Sequence, residues 1–116
     1  MTAFRPKTRT ATAVEATDPI MLDFNQPSFE VSLTITGSAT TPTGDAEYTA
    51  DDPRNFTSLA NFSSTANWVA VGGTDLSGTL PLQSNIAFPV TAVRLNVTGG
   101  SSINLTLTTV QSGPHR

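Results

Sequence analysis

Three stretches of strict alternation constrain this chain more than anything else in it. In 28–36, Phe29, Val31, Leu33 and Ile35 alternate with Ser28, Glu30, Ser32, Thr34 and Thr36. In 93–98, Val93, Leu95 and Val97 alternate with Arg94, Asn96 and Thr98, and in 103–108, Ile103, Leu105 and Leu107 alternate with Asn104, Thr106 and Thr108. A period of two puts all the apolar side chains of a strand on one face. Each stretch therefore reads as a strand with one buried face, which points to antiparallel sheets and away from parallel sheets covered on both sides. Gly99, Gly100, Ser101 and Ser102 lie between the last two stretches, so 91–110 reads as a hairpin closed by a turn.

The rest of the chain extends this pattern. The sequence predicts a strand around 20–25, a polar loop over 37–45 and a short strand at 46–50. Segment 51–62 departs from alternation. Asp52 is placed to cap a helical turn with Pro53 at its first position, and Phe56, Leu59 and Phe62 share a side at helical spacing. Strands are expected again at 67–73 and, more weakly, at 76–83, where Pro81 restricts the chain to a sheet edge. Seven or eight short strands, short linkers and little helix predict an all-β fold: one antiparallel β-sandwich domain, jelly-roll-like, over 13–112. Residues 1–12 read as an extended N-terminal arm, in which Pro6 disfavours helix. Ten such residues span roughly 33 Å, enough to cross onto a neighbouring subunit. Residues 113–116 read as a flexible tail.

A chain of 116 residues with 37 % hydrophobic and 13 % charged side chains suits one domain with one modest core. It has no cysteine, so disulfides, thiolate metal sites and thiol nucleophiles are ruled out. No apolar run approaches the ~20 residues of a membrane span, and 1–12 has no signal-like apolar segment. Net charge is −3, distributed unevenly. Arg5, Lys7 and Arg9 lie in the first nine residues without an acid, whereas the remainder has nine acids against Arg54, Arg94 and Arg116. Such a division predicts a tail that touches something acidic. Three cations ahead of an acidic body suit a negative protein surface better than nucleic acid, whose phosphates that body repels. Phe4, beside those cations, is a suitable anchor.

Groups suited to catalysis are sparse. The single His, His115, lies one residue from the C-terminal end, without the fixed geometry of a general base. Asp51 and Asp52 are the only adjacent acids. They could hold Ca²⁺ or act on a glycosidic bond, but neighbours on a strand point to opposite faces, and a capping role is expected. Asn55, Asn61, Asn96 and Asn104 begin Asn-x-Ser/Thr triplets that this Thr- and Asn-rich composition produces by chance. No enzyme activity, cofactor or metal is expected. Trp68 is expected in the core or at an interface; with Tyr48 it could also form a sugar-stacking platform. Arg94 is expected on the polar face of its strand, in solvent or paired with an acid of another subunit.

The stretches "EYTADDP" (47–53), "NW" (67–68) and "AFPVTAVRLNVTGGSSINLTLTTVQSG" (87–113) resemble a group of small structural proteins of tailed-bacteriophage virions. In that group a strand ending in Asp-Asp-Pro precedes an aromatic-rich segment with Trp, and a Phe-Pro-Val-x-Ala-x-Arg-Leu-Asn-Val hairpin closes the domain. The resemblance spans about 65 residues of the second half. It implies a virion component: a capsid decoration or cement protein, commonly a homotrimer bound to the major capsid protein on the outside of the shell. Head fibres and tail adaptors, with a glycan or receptor as partner, are the other placements it implies. The resemblance implies neither nucleic acid nor membrane as a partner. Under this reading the expected interface residues are Phe4, Arg5, Lys7, Arg9, Trp68 and Arg94.

Overall fold

The fold is that of a computed structural model, which describes residues 6–23 and 30–112. It is all-β and antiparallel, as alternation predicts, and its six strands form a single sheet. They are β1 (Lys7–Ala11), β2 (Ile20–Met21), β3 (Glu30–Thr49), β4 (Val69–Ala70), β5 (Leu82–Ile86) and β6 (Ala92–Ser112). Six strands among the described residues is fewer than the seven or eight expected, because the two longest strands absorb segments that read as separate ones.

The expected hairpin over 91–110 is not formed. Ala92–Ser112 is one strand of 21 residues, paired throughout with the 20-residue β3, from Glu30 opposite Ser112 to Thr49 opposite Ala92. The expected loop at 37–45 belongs to this pairing. Twenty residues in a straight strand would extend about 66 Å, yet the longest dimension of the molecule is 42 Å. The ribbon is therefore sharply bent. Register shifts between Ser38 and Gly44 mark the bend. Gly37 (φ 117°) and Gly44 (φ 125°) have backbones that L-residues rarely adopt, and a Cβ on either would collide with the carbonyl of Asn104 or Asn96. Such bulges add local twist and bend. Gly99 to Ser102 bend with them as the partner strand.

The bend divides the sheet into two four-stranded halves. In one, β6 runs between β1 and β3, and β5 pairs with the other edge of β3. In the other, the N-terminal part of β6 lies between β2 and the C-terminal part of β3, which pairs with β4. Residues 15–22 extend that edge: the N–H groups of Thr17 and Leu22 donate to the Leu95 and Thr91 carbonyls, and that of Val97 to Glu15. The inner faces of the halves supply one apolar cluster. Val31, Leu33, Ile35, Ile86, Leu105 and Leu107 come from one half, and Ile20, Ala46, Val93, Leu95 and Val97 from the other. One bent antiparallel sheet thus carries a single main core.

The connection after β3 is partly helical, as Asp52 and Pro53 predict. A 3-10 turn at Pro53–Asn55 is capped by the Asp52 carboxylate, which accepts from the Arg54 N–H. A separate helix, α1 (Leu59–Thr65), starts at Ser58, whose hydroxyl accepts from the Asn61 N–H. Phe62 is buried and Phe56 packs on it, but Leu59 is exposed, contrary to its expected place on the packed side. Phe62, Ala66 and Ala92 form a second cluster, flanked by Met21, Phe56 and Trp68, on the outer face of the second half. Among the described residues the first half has no such cover. The strand expected at 67–73 shrinks to Val69–Ala70, and that at 76–83 begins only after Pro81.

Candidate functional site

The surfaces of this chain that could act are a clasp under α1, an aromatic pair at the β4 edge and a groove at the bend. The clasp is built from alternation. Ala92, Arg94 and Asn96 point away from the main core on β6, as Glu47 does on β3, where it lies opposite Arg94. Arg94 therefore meets Glu47 within the chain. Their ion pair is 2.9 Å long, and both side chains are only 13–15 % exposed. The Arg94 guanidinium lies 4.3 Å from the centre of the Trp68 ring and donates to the Ser63 carbonyl at 2.7 Å. The Trp68 indole N–H donates to the same carbonyl at 2.9 Å. Ser63 is in the last turn of α1, where carbonyls lack helical partners and cations are favoured. Arg94 and Trp68 thus fasten the C-terminal end of α1 to the sheet.

This geometry corrects two expectations. Arg94 is largely buried rather than solvated, and within the chain its acid is Glu47, which the hairpin register could not reveal because the true partner strand is β3. Trp68 does not form a platform with Tyr48. Tyr48 packs toward the main core, whereas Trp68 lies on the opposite side of the sheet with one face against Arg94. Tyr48 instead meets Phe88 edge-on, with ring centroids 5.3 Å apart. Phe88 is 49 % exposed, and so is Val69, which pairs with Tyr48, at 48 %.

Phe4 and Arg5 lie outside the described residues. The described part of the basic segment is extended, as expected, but it is β1, laid along β6 of its own domain with Lys7 opposite Thr109 and Ala11 opposite Leu105. Its cations are engaged locally. Lys7 donates to the Met21 carbonyl at 3.1 Å, and Arg9 donates to the carbonyls of Asp18 and Pro19 at 3.2 and 3.1 Å. Within the chain they fasten the segment that returns to β2.

The acid pair is structural in its described contacts. Asp51 accepts from the backbone and side-chain N–H groups of Asn67, which ties the end of α1 to the end of β3. Asp52 caps the 3-10 turn and receives the Arg54 guanidinium; these bonds lower its pKa. Among the described residues, no three His, Cys, Asp or Glu side chains are grouped to hold a metal ion. Asn96 donates to Glu47. His115 lies outside the described residues. No helix of the described residues is long and apolar enough to cross a membrane.

The groove escaped the sequence reading. An open cavity of about 380 Å³ lies where the ribbon bends, lined chiefly by Ala39, Pro42, Leu76 and Leu80, with Thr43 and Ser77 at its rim. Two acids adjoin its lining residues along the chain. Asp75 precedes Leu76, whose N–H donates to the Gly44 carbonyl, and Asp45 follows Gly44. The Ser77 N–H and hydroxyl bond to Asp75 and lower its pKa. Burial, then Glu47 and Asp75, push the pKa of Asp45 up. Only Pro42 and the paired glycines hinted at a feature here, and they read as a loop.

Comparison of the chain with protein-family models, with curated proteins and with solved structures finds no match.

Proposed function

We propose that this chain is a structural protein of a bacteriophage virion that acts by docking, and that it serves as a decoration or cement protein on the outer capsid surface. The observation that supports this most is where the resembling stretches go. Glu47 of 47–53, Trp68 of 67–68 and Arg94 of 87–113 are far apart in sequence, and they meet in one clasp. Asp51 and Asn67 join the first two stretches again, and the Thr91 hydroxyl donates to the Thr49 and Asp51 carbonyls to join the first and third. The stretches that carry the resemblance therefore meet in one structural unit. A cement protein needs a stable body and several weak contacts, not a reaction centre. It stabilises the assembled shell by binding it in preference to its separated parts, and repeated contacts around a symmetry axis raise the effective affinity. The major capsid protein is the proposed partner, and a homotrimer the proposed form.

The test adds recombinant chain to phage particles that lack it. Saturable binding to the shell, with a rise in the temperature at which the particles release DNA, is expected. Binding confined to tails, or no gain in heat stability at saturation, would reject the cement role.

The exposed Phe88 beside Tyr48 favours one second reading, a glycan-binding module on a fibre or tail, because an exposed ring can stack on a sugar. Under that reading Phe88→Ala lowers adsorption to host cells and leaves particle heat stability unchanged; under the cement reading adsorption is unaffected.

A further inference from the structure

We propose that the groove at the bend receives the N-terminal segment of a second copy of this chain, with Phe4 on its apolar floor and Arg5 against Asp45 and Asp75. The inference deepens the virion reading, on which it rests for the idea that copies assemble.

The groove asks for two things at once. Its floor of Ala39, Pro42, Leu76 and Leu80 suits an apolar side chain. The acids beside its lining, Asp75 bonded to Ser77 and Asp45 close to Asp75, suit a cation. Ser77 engages Asp75, whereas the Asp45 carboxylate has no hydrogen bond or ion pair among the described residues. Burial first, and then the neighbouring Glu47 and Asp75, raise the pKa of Asp45. A partner that offers a bulky apolar group next to a cation answers both needs. Phe4-Arg5 is the only place in this sequence where an aromatic residue adjoins a cation. It lies in the basic leader of a chain whose remaining residues are acidic, so copies complement each other end to body.

Covalent reach makes the contact intermolecular. Lys7 is level with Thr109 and Leu33, and the groove lies beyond Ser38 and Asn104. That is five residues further along the ribbon, about 17 Å. Phe4 precedes Lys7 by three residues, at most about 11 Å of chain. β1 also runs from Lys7 toward the bend, so the leader enters from the opposite end. Phe4 cannot reach the groove of its own copy. A leader-to-groove contact is heterologous, and such contacts close into rings when the rotation permits, which fits a trimer.

The test is charge reversal in the full chain, read by sedimentation velocity across protein and salt concentrations. Wild type is expected to form multimers that dissociate as salt rises, because exposed ion pairs are screened. R5E and D45R should each weaken association by roughly tenfold or more, and F4A by a similar factor. The double variant R5E/D45R should regain most of the loss, since it restores opposite charges across the contact. Circular dichroism checks that D45R is folded; R5E, at a position ahead of β1 in the chain, gives an independent reading. A wild-type monomer at every concentration, single variants that associate normally, or a double variant no better than either single would overturn the inference. Multimers that respond as expected but do not bind particles support the inference and reject the virion reading. A monomer that binds particles does the reverse.

Discussion

The two halves of the bent sheet share the same pair of long strands and the same alternation, but their outer faces have different fates. Around β1 and β5, the outer face presents Thr8, Thr10, Thr34, Thr36, Thr106 and Thr108 in register across three strands, with the Thr10 and Thr106 hydroxyls 3.0 Å apart. Nothing in the described chain covers it. Around β2 and β4, the outer face presents Glu47, Ala92 and Arg94, and α1 lies on top. Polar residues at outward positions are therefore consistent with either solvent or burial. What decides is whether a connecting segment brings enough apolar area to cover them, and here Phe62, Phe56 and Trp68 supply it.

The strongest way to break this comparison is to remove the cover. Phe62→Ala should cost about 3–5 kcal/mol, the range for truncating a fully buried aromatic residue. Thr106→Ala on the open face should stay within about 0.5 kcal/mol. Urea unfolding with unchanged m-values measures both. Equal losses at the two positions would show that the halves do not differ in the way described.

A finer test separates packing from charge under α1. Arg94→Met keeps an apolar stem but leaves Glu47 and the Ser63 carbonyl without their donor. It should destabilise by about 1.5–3 kcal/mol, the range for a hydrogen bond to a charged group. Glu47→Gln combined with Arg94→Met should lose less than the two single losses together, because the residues touch. Strict additivity in that cycle would mean the pair contributes nothing beyond its separate parts.

The bend should respond next. Gly37→Ala must adopt a positive φ and bring a Cβ against the Asn104 carbonyl. A cost of about 1–3 kcal/mol is expected, whereas Gly72→Ala, with open space around it, should be tolerated. Equal tolerance at both positions would argue that the ribbon can bend elsewhere.

These contrasts also explain what the sequence made legible. The inner faces were legible because Val31, Leu33 and Ile35, and the two runs of β6, obey a period of two over many residues. The bend was not. Gly37 to Asp45 and Gly99 to Ser102 contain turn residues, and local composition cannot tell a reversal from a bulge within a long strand. Only the pairing partner distinguishes them, and that partner lies some 60 residues away. The capping role of Asp52 was readable because it is local. The Glu47–Arg94 pair, the carbonyls that hold Lys7 and Arg9, and the groove all depend on that long-range register. Among the predicted site residues, Trp68 and Arg94 came together for this reason, with a partner the sequence did not indicate.

The smallest effect concerns two acids, Asp45 in β3 and Asp52 in the turn that follows it, which carry opposite perturbations. Asp52 is held ionised by Arg54, while Asp45 is pushed toward its neutral form by burial and by Glu47 and Asp75. For Asp45 the folded state binds the proton more tightly than the unfolded chain, whose carboxyl titrates near about 3.9. Folding is therefore penalised once pH rises through that value, and the penalty is complete above the raised folded pKa. Asp45→Asn removes it. The variant should melt slightly higher than wild type at pH 7, and the difference should shrink as pH falls through the folded value and vanish below about pH 3.9. Asp52→Asn should do the opposite: it melts lower at pH 7, and that deficit fades as acid protonates the wild-type group. Thermal melts of both variants from pH 3 to 7, at a protein concentration where association is negligible, measure the two trends. A difference for Asp45→Asn that grows on acidification would show that the acids at the bend do not face one another as described.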